Sequence, residues 1–290
     1  MEPSTAKYAY GIGMAVQGGL CCFGYALFGL LLWGRPDLRK KNRFLVSLGY
    51  SDVAIAMHAF ASTVAVFYGG WPFGLVGCYL DAFVGMGCTF VSISNVAWIA
   101  RDKYYRVCKP NKAGQGYKFY VKLVWVLGTI GGLLPFIGFG EYGFETDVPE
   151  YQTGCLLKFS TEITNKYRIY IVCIAVIWFL LPVYNIISYY SKIAKATKKP
   201  CPMTYIVPIQ MTLSLSPYAI YAFISITAGV GAYPEYLTAV NNLAAKIFIA
   251  SNPFLYMWSD SVLRKLFKKI VCGLDVDEDE VVEVEEKKSK

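Results

Sequence analysis

The sequence predicts an all-α integral membrane protein: a bundle of seven transmembrane helices followed by a short amphipathic helix. Of its 290 residues, 56% are hydrophobic and only 17% are charged, whereas soluble domains carry about 45–50% apolar and about 25% charged residues. The charged residues also divide the chain into apolar runs of about 20 residues, the length that a helix needs to cross a bilayer. These two observations exclude a disordered chain and argue against a soluble one.

Seven apolar runs are the predicted membrane spans. They lack the polar face that a surface helix of a soluble protein shows at helical spacing. The first run is too long for a cleavable signal peptide, and we expect it to act as the insertion signal. In the sixth run, a helix that ends near Thr227 is long enough to cross. The runs are Tyr8–Gly34, Val53–Leu80, Ala82–Ala100, Leu123–Gly140, Ile169–Ser191, Pro200–Pro234 and Tyr236–Ser259.

The formal net charge of +8 reflects membrane topology. Basic residues concentrate after the first, third, fifth and seventh runs, and Lys and Arg mark the cytoplasmic side of a membrane protein. We therefore expect an extracellular or lumenal N-terminus and a cytoplasmic C-terminus. The basic surface suits anionic lipid or a cytoplasmic partner, and no nucleic-acid partner is expected. The basic segments are Arg35–Arg43, Arg101–Lys122, Lys192–Lys199 and Arg264–Lys269.

The chain after the last span divides into two parts. Basic and apolar residues alternate at helical spacing after residue 259, which predicts an interfacial amphipathic helix over 260–272. Cys272 is a juxtamembrane cysteine and a candidate for palmitoylation. The acidic, then basic, segment 273–290 is expected to be a disordered cytoplasmic tail. The predicted domains are thus 1–259, 260–272 and 273–290.

The nine cysteines are scattered, without the paired spacing of a zinc module. The single histidine also argues against a histidine-ligated metal site, and no metal is expected. Cys78 lies at the outer start of the third span and Cys155 lies in the outer loop between spans four and five. Because the extracellular face is oxidising, we expect these two to form a disulfide that ties the loop over the bundle as a lid.

Lys246 is the most informative residue, because it lies near the middle of the seventh apolar run. A lysine there costs several kcal/mol unless it is paired or neutralised. Its functional interpretations are a proton relay, an ion site or a Schiff base to a carbonyl ligand; the alternative is a salt bridge that only locks helices together. Asp102 lies too far toward the cytoplasm to be its partner. The available carboxylates are Asp52, Asp81, Glu145 and Glu150.

Six residues after Lys246 comes Asn252-Pro253-Phe254-Leu255-Tyr256, whose proline allows a helix kink. Together with other positions, this pattern resembles the opsins, within the rhodopsin-like G-protein-coupled receptors. The resemblance spans roughly residues 38–272. Lys246 in this register is the mark of retinal-binding opsins among such receptors. The other matching positions are Asp52, Cys78 with Cys155, Asp102-Lys103-Tyr104 at the family's D/E-R-Y site, and Pro217.

The resemblance implies roles for three charged residues. Lys246 would bind retinal as a Schiff base. Asp81 stands at the site of the counterion in vertebrate visual opsins, and Glu145 matches the loop glutamate that is the counterion in many other opsins. Counting back from Cys155 points instead to the neighbourhood of Glu150. We prefer Asp81, then Glu145; the two glutamates have the alternative of an ordinary solvated loop.

Within the opsins, the chain is most similar to the retinal-photoisomerase group of retinal G-protein-coupled receptor, peropsin and retinochrome. The similarity lies in Trp71-Pro72-Phe73-Gly74, in Ser216-Pro217-Tyr218-Ala219-Ile220, in a short loop between spans five and six, and in a short N-terminus. This implies a light-driven enzyme that converts all-trans- to 11-cis-retinal. The alternative is a photoreceptor that activates a G protein.

Several positions depart from the family pattern. Lys103 replaces the arginine of the D/E-R-Y site, and lysine lacks the planar fork of arginine. Leu215 replaces the span-six tryptophan that contacts the retinal ring, and the usual span-one asparagine has no clear match. Asn242 stands where light-driven microbial pumps carry an aspartate, which disfavours a pump. A non-photochemical receptor with a Lys246 ion pair is a further alternative. His58 is expected to serve packing or a helix hydrogen bond rather than proton shuttling.

Overall fold

The computed structural model describes residues 3–144, 152–158, 164–228 and 236–272. Among these residues, six helices are long and apolar enough to cross a membrane. The helix Tyr236–Ser259 packs against them as the seventh. The predicted all-α transmembrane bundle is therefore confirmed.

The spans follow one another along the chain, and the longest connection, between the fourth and fifth spans, contains two strands. The first four are α1 (Pro3–Leu32), α3 (Arg43–Tyr68), α4 (Gly74–Cys108) and α5 (Tyr117–Leu133), with the short α2 (Pro36–Lys41) between the first two. The fifth combines α6 (Asn165–Ala175), a π-helical turn (Val176–Leu180) and α7 (Leu181–Thr197). The sixth and seventh are α8 (Met203–Ala228) and α9 (Tyr236–Ser259), followed by α10 (Ser261–Cys272). Two 3₁₀ turns, Pro110–Lys112 and Leu134–Ile137, complete the helical elements in the described residues.

The helix boundaries predicted from the apolar runs were wrong for the second and third spans. The run Val53–Leu80 contains the end of α3, a turn and the start of α4. At the turn, Gly69 has φ 98° and Gly70 has φ 151°, backbone conformations that favour glycine. The predicted run begins after Asp52 and ends before Asp81, but both acids lie inside helices. Acids with polar partners are tolerated there, so they do not mark helix ends.

α4 is the central helix of the bundle, in contact with α3, α5 and α7. α1 packs against α3 and α9, and α8 packs against α7 and α9. Close approach of α4 and α5 depends on glycine: a Cβ on Gly128 would lie 2.5 Å from Val91 Cγ2 and 2.9 Å from the Gly87 carbonyl oxygen. Small residues at a helix contact allow backbones to approach closely in a membrane.

A short antiparallel hairpin covers the outer end of the bundle. Strand β1 (Tyr142–Phe144) pairs with β2 (Cys155–Leu157), and these strands are absent from the sequence prediction. Cys155 forms the predicted disulfide with Cys78 of α4. The Tyr142 hydroxyl donates to the Gly132 carbonyl oxygen at 2.7 Å, and burial raises the pKa of this phenol. The hairpin is therefore fixed to α4 and α5.

α10 begins at a capped turn on the cytoplasmic side. The Asp260 carboxylate accepts hydrogen bonds from the backbone N–H groups of Val262 and Leu263 at 2.9 and 3.2 Å, the arrangement of an N-cap. Val262, Leu263 and Leu266 are buried against the bundle. Cys272 ends the helix, but its side chain lies outside the described residues, as does the predicted tail 273–290.

We predict that Gly128→Ala destabilises the bundle by about 1–3 kcal/mol, because the added methyl group overpacks the contact between α4 and α5. The measurement is the thermal unfolding midpoint of the purified protein in detergent. Gly29→Ala is the matched control, since a Cβ on the exposed Gly29 meets nothing within 4 Å. An equal effect of both substitutions would contradict the proposed close packing.

Candidate functional site

A cavity of about 360 Å³ lies beneath the hairpin, within the range of about 300–1,000 Å³ that ligand pockets span. Its walls come from α3, α4, the fifth span, α8 and α9, and β2 forms its roof. The lining is mainly apolar, with a few polar side chains. The polar members are His58, Thr89, Tyr218, Asn242 and Lys246, and the bulkier apolar members include Met86, Phe90, Ile93, Trp178, Phe179 and Leu215.

The seventh span places Lys246 in the cavity wall, one helical turn after Asn242. The Lys246 side chain is buried, with 6% of its surface exposed. An amine held in mainly apolar surroundings is a reactive nucleophile when it is unprotonated and a strong local charge when it is protonated. The cavity therefore presents a buried primary amine, with His58 also in its wall, to a mainly hydrophobic ligand.

His58 and Asp81 form a buried pair between α3 and α4. The His58 Nδ1 and Asp81 Oδ2 atoms are 2.6 Å apart, and the side chains are 3% and 10% exposed. Asp81 does not line the cavity itself; His58 and Ala82 do. The Asp81 carboxylate is thus connected to the cavity wall through the histidine ring. His58 therefore makes a hydrogen bond between helices; the sequence predicted packing or a helix hydrogen bond for this residue but did not name Asp81 as its partner.

Asp52 lies in a separate polar cluster, although it was one of the carboxylates considered for Lys246. Its fully buried carboxylate accepts hydrogen bonds from Tyr25 at 2.7 Å, Ser92 at 2.5 Å and Asn252 at 2.9 Å. Tyr25 supplies the contact from the first span, where the sequence has no match for the family's asparagine. Asp52 therefore connects the first, second, third and seventh spans.

Gln210 extends this cluster to the sixth span. Its amide nitrogen donates to Ser251 Oγ at 2.6 Å and lies 3.2 Å from both Asn252 Oδ1 and the Phe248 carbonyl oxygen. These contacts hold α8 against α9 just before Pro253, which lies inside α9. Pro217 similarly lies inside α8. No motif in the sequence pointed to Gln210.

At the cytoplasmic end of α4, Asp102 forms an ion pair with Arg106 at 2.6 Å, and Arg106 also donates to the Lys41 carbonyl oxygen. Lys103 Nζ donates to Ser259 Oγ at 3.0 Å and lies 5.6 Å from the centre of the Tyr256 ring. Lys103 therefore connects the third span to the end of the seventh.

The neighbouring Tyr104 packs against Tyr189 of α7, with ring centres 5.4 Å apart.

Glu145 and Glu150, the alternative counterions, lie outside the described residues. Trp178, which the sequence did not single out, stacks on Phe90 at 4.1 Å between ring centres and lines the cavity. Trp178 lies in the π-helical turn of the fifth span, a local feature that spacing does not reveal and that is frequent at functional sites.

Comparisons with known proteins agree with this architecture. The sequence profile described as "7 transmembrane receptor (rhodopsin family)" matches residues 31–256. The chain superposes on the crystal structure of squid rhodopsin with a TM-score of 0.82 at 20% identity, covering 100% of this chain and 93% of that one. The protein is thus a multi-pass membrane protein with an extracellular N-terminus and a cytoplasmic C-terminus, as predicted.

Curated relatives fall into two kinds. One is a Gq-coupled rhodopsin of Mizuhopecten yessoensis, 31% identical over 68% of this chain but 40% of its own length. A rhodopsin of Alloteuthis subulata is 23% identical over 96% of this chain and 72% of its own length. The other kind is the RPE-retinal G protein-coupled receptor of Bos taurus, 27% identical over 79% of both chains. The predicted resemblance to opsins is confirmed.

We predict that Asn252→Ala lowers stability by about 1–3 kcal/mol, because the buried Asp52 carboxylate loses a donor and Gln210 loses an acceptor. Thermal unfolding in detergent measures the effect, with Asn111→Ala in the exposed inner loop as control. A midpoint for Asn252→Ala equal to that of the control would contradict the role given to this cluster.

Proposed function

This chain belongs to the rhodopsin family of seven-transmembrane receptors, and from that premise we propose that it is an opsin that binds retinal at Lys246 as a Schiff base. We further propose that it is a photoisomerase that converts all-trans- to 11-cis-retinal. The observation that carries the proposal is the buried lysine in the wall of a mainly apolar cavity. A relative at 27% identity carries the name RPE-retinal G protein-coupled receptor.

The cavity suits a long hydrocarbon aldehyde. Its walls are mainly apolar, and the stacked Phe90 and Trp178 rings form a flat surface. Lys246 would hold retinal through the aldehyde carbon, with loss of one water, and the bound retinal would supply light absorption and the double bond that turns. The protein holds the polyene, determines which bond has room to turn, and stabilises the positive charge on the Lys246 nitrogen.

Asp81 is the proposed counterion of that nitrogen. A positive charge in an apolar cavity is stabilised by a nearby negative charge, and Asp81 is connected to the cavity wall through His58. Asp52 is hydrogen-bonded to three other side chains, which leaves Asp81 as the favoured acid among the described carboxylates.

Two features support an isomerase rather than a signalling receptor. Lys103 stands in place of the family's arginine and donates to Ser259; as a point charge it cannot make the bidentate contacts of a guanidinium group. Leu215 lines the cavity where the family's tryptophan would contact the retinal ring. Both residues stand at positions of the family pattern that link a change in the retinal pocket to a change at the cytoplasmic face.

Light-activated signalling through a G protein is the second candidate function. Asn252 is joined to Asp52, and the inner segments are basic, which suits a cytoplasmic partner. The scallop relative is named as a Gq-coupled rhodopsin. Light-dependent nucleotide exchange on a panel of purified G proteins tests this alternative.

We predict a visible absorption band when the purified protein is mixed with all-trans-retinal, and loss of that band in Lys246→Ala. Lys199→Ala, in the exposed loop between α7 and α8, should keep the band. After illumination, extraction should recover 11-cis-retinal from the wild type. A band without 11-cis product would contradict the isomerase and leave the receptor; a band retained in Lys246→Ala would contradict retinal attachment at this lysine.

We further predict that Asp81→Asn moves the band of the retinal-loaded protein to the near ultraviolet at neutral pH, because the Lys246 nitrogen loses its stabilising negative charge and its proton. Glu145→Gln should keep a visible band. Absorption spectra of the two variants decide between the carboxylates, and the opposite pattern would assign the counterion to the loop glutamate.

A further inference from the structure

We propose that the cytoplasmic end of α4 carries a binding site for the phosphate group of an anionic lipid, with the Arg101 guanidinium group at its centre. The site lies on the cytoplasmic side of the bundle, and none of its residues lines the cavity that contains Lys246. It is therefore independent of the proposed function.

Three aromatic rings hold the Arg101 side chain in place. Its guanidinium carbon lies 4.7 Å from the ring centre of Trp98, 4.6 Å from that of Tyr105 and 4.7 Å from that of Tyr120. Trp98 of α4 and Tyr120 of α5 also stack on each other, with ring centres 4.2 Å apart. Distances below about 6 Å are typical of cation–π contacts. These contacts fix the guanidinium group where α4 meets α5.

The N–H groups of Arg101 remain available to a ligand. Within the residues that the structure describes, Arg101 contacts aromatic rings but makes no hydrogen bond or ion pair. A guanidinium group presents its N–H donors in a planar fork, which matches two oxygens of a phosphate group. Because the rings already restrict this side chain, it loses little conformational freedom when it binds an anion.

Arg101 lines a shallow crevice together with Lys112 and Gln115 of the inner loop and Tyr117 at the start of α5. Lys112 is exposed and adds a positive charge. The Tyr117 hydroxyl is buried without a hydrogen-bond partner in the described part of the chain, and the Arg43 guanidinium carbon lies 3.9 Å from the Tyr117 ring centre. The crevice is too small to enclose a headgroup, so the phosphate group lies at its mouth.

The charge around the crevice favours an anion. Asp102 also lines it, but its carboxylate forms an ion pair with Arg106 at 2.6 Å. The segment Arg101–Lys122 contains seven basic residues and only this one acid. Basic segments next to a membrane span attract the anionic lipids of the cytoplasmic leaflet.

The position of the site favours a lipid over free phosphate. Arg101 follows directly on the apolar run Ala82–Ala100, and the apolar run of α5 begins at Leu123. The site therefore lies at the inner membrane–water interface, where Trp and Tyr are enriched. Phe119, whose ring centre is 5.5 Å from that of Tyr120, is 63% exposed. Acyl chains cover such an apolar side chain beside a bound headgroup.

Native mass spectrometry of the full-length protein in detergent tests the proposal by measuring bound lipid. The probes are phosphatidylinositol bisphosphate, phosphatidylserine and phosphatidylcholine at equal concentrations. We expect the wild type to retain the two anionic lipids in preference to phosphatidylcholine. Arg101→Gln should bind them about tenfold more weakly, because hydrogen bonds to a charged phosphate group are lost. Arg39→Gln is the matched control: it removes the same charge from an exposed position of α2 and should match the wild type.

Two further variants and a competitor define the contact. Arg101→Lys keeps the charge but loses the planar fork, so it should also bind more weakly than the wild type. Lys112→Gln changes an exposed residue of the inner loop and leaves the aromatic contacts intact, so it serves if Arg101→Gln fails to fold; it should lower the affinity. Inorganic phosphate at the concentration of the lipid should not displace it, because it lacks acyl chains.

Equal binding of anionic lipids and phosphatidylcholine to the wild type would overturn the proposal, as would equal binding of anionic lipid to Arg101→Gln and Arg39→Gln. Wild-type affinity in Lys112→Gln would do the same if Arg101→Gln does not fold. Wild-type affinity in Arg101→Lys would overturn the contact through the fork. Displacement by inorganic phosphate would overturn the assignment to a lipid.

Discussion

The site depends on one electrostatic constraint: a positively charged nitrogen inside the membrane is unfavourable unless a negative charge lies nearby. Lys246 is buried in a mainly apolar cavity, where a charge is costly unless another group balances it. The His58–Asp81 pair lies at this cavity. Strand β2, which the disulfide ties to α4, covers the cavity on its outer side. Mainly apolar surroundings strengthen the charge interactions inside them.

Two buried acids have different environments and, in our account, different purposes. Asp52 accepts three hydrogen bonds and joins helices across the bundle. Asp81 pairs with a histidine at the cavity. Gln210 and Lys103 add further connections to the seventh span. We propose a chemical role for the His58–Asp81 pair, whereas the contacts of Asp52, Gln210 and Lys103 hold α9 to its neighbours.

The sequence predicted the fold and the central lysine because both follow from composition and charge. Apolar runs locate membrane spans, and a lysine within one is conspicuous. It predicted the boundaries of the second and third spans poorly, because Asp52 and Asp81 lie inside helices. It also missed Gln210 and Trp178, and it did not name Asp81 as the partner of His58. These depend on how helices rotate and meet, which is a property of packing between spans distant in the chain.

The central claim is that Lys246 is the residue that binds retinal. The most direct measurement is chemical trapping: the retinal-loaded protein is treated with borohydride, which converts the carbon–nitrogen double bond to a stable secondary amine, and is then digested for mass spectrometry. The account predicts a retinyl adduct on the peptide that contains Lys246. An adduct on a different lysine, or none despite bound retinal, would contradict it.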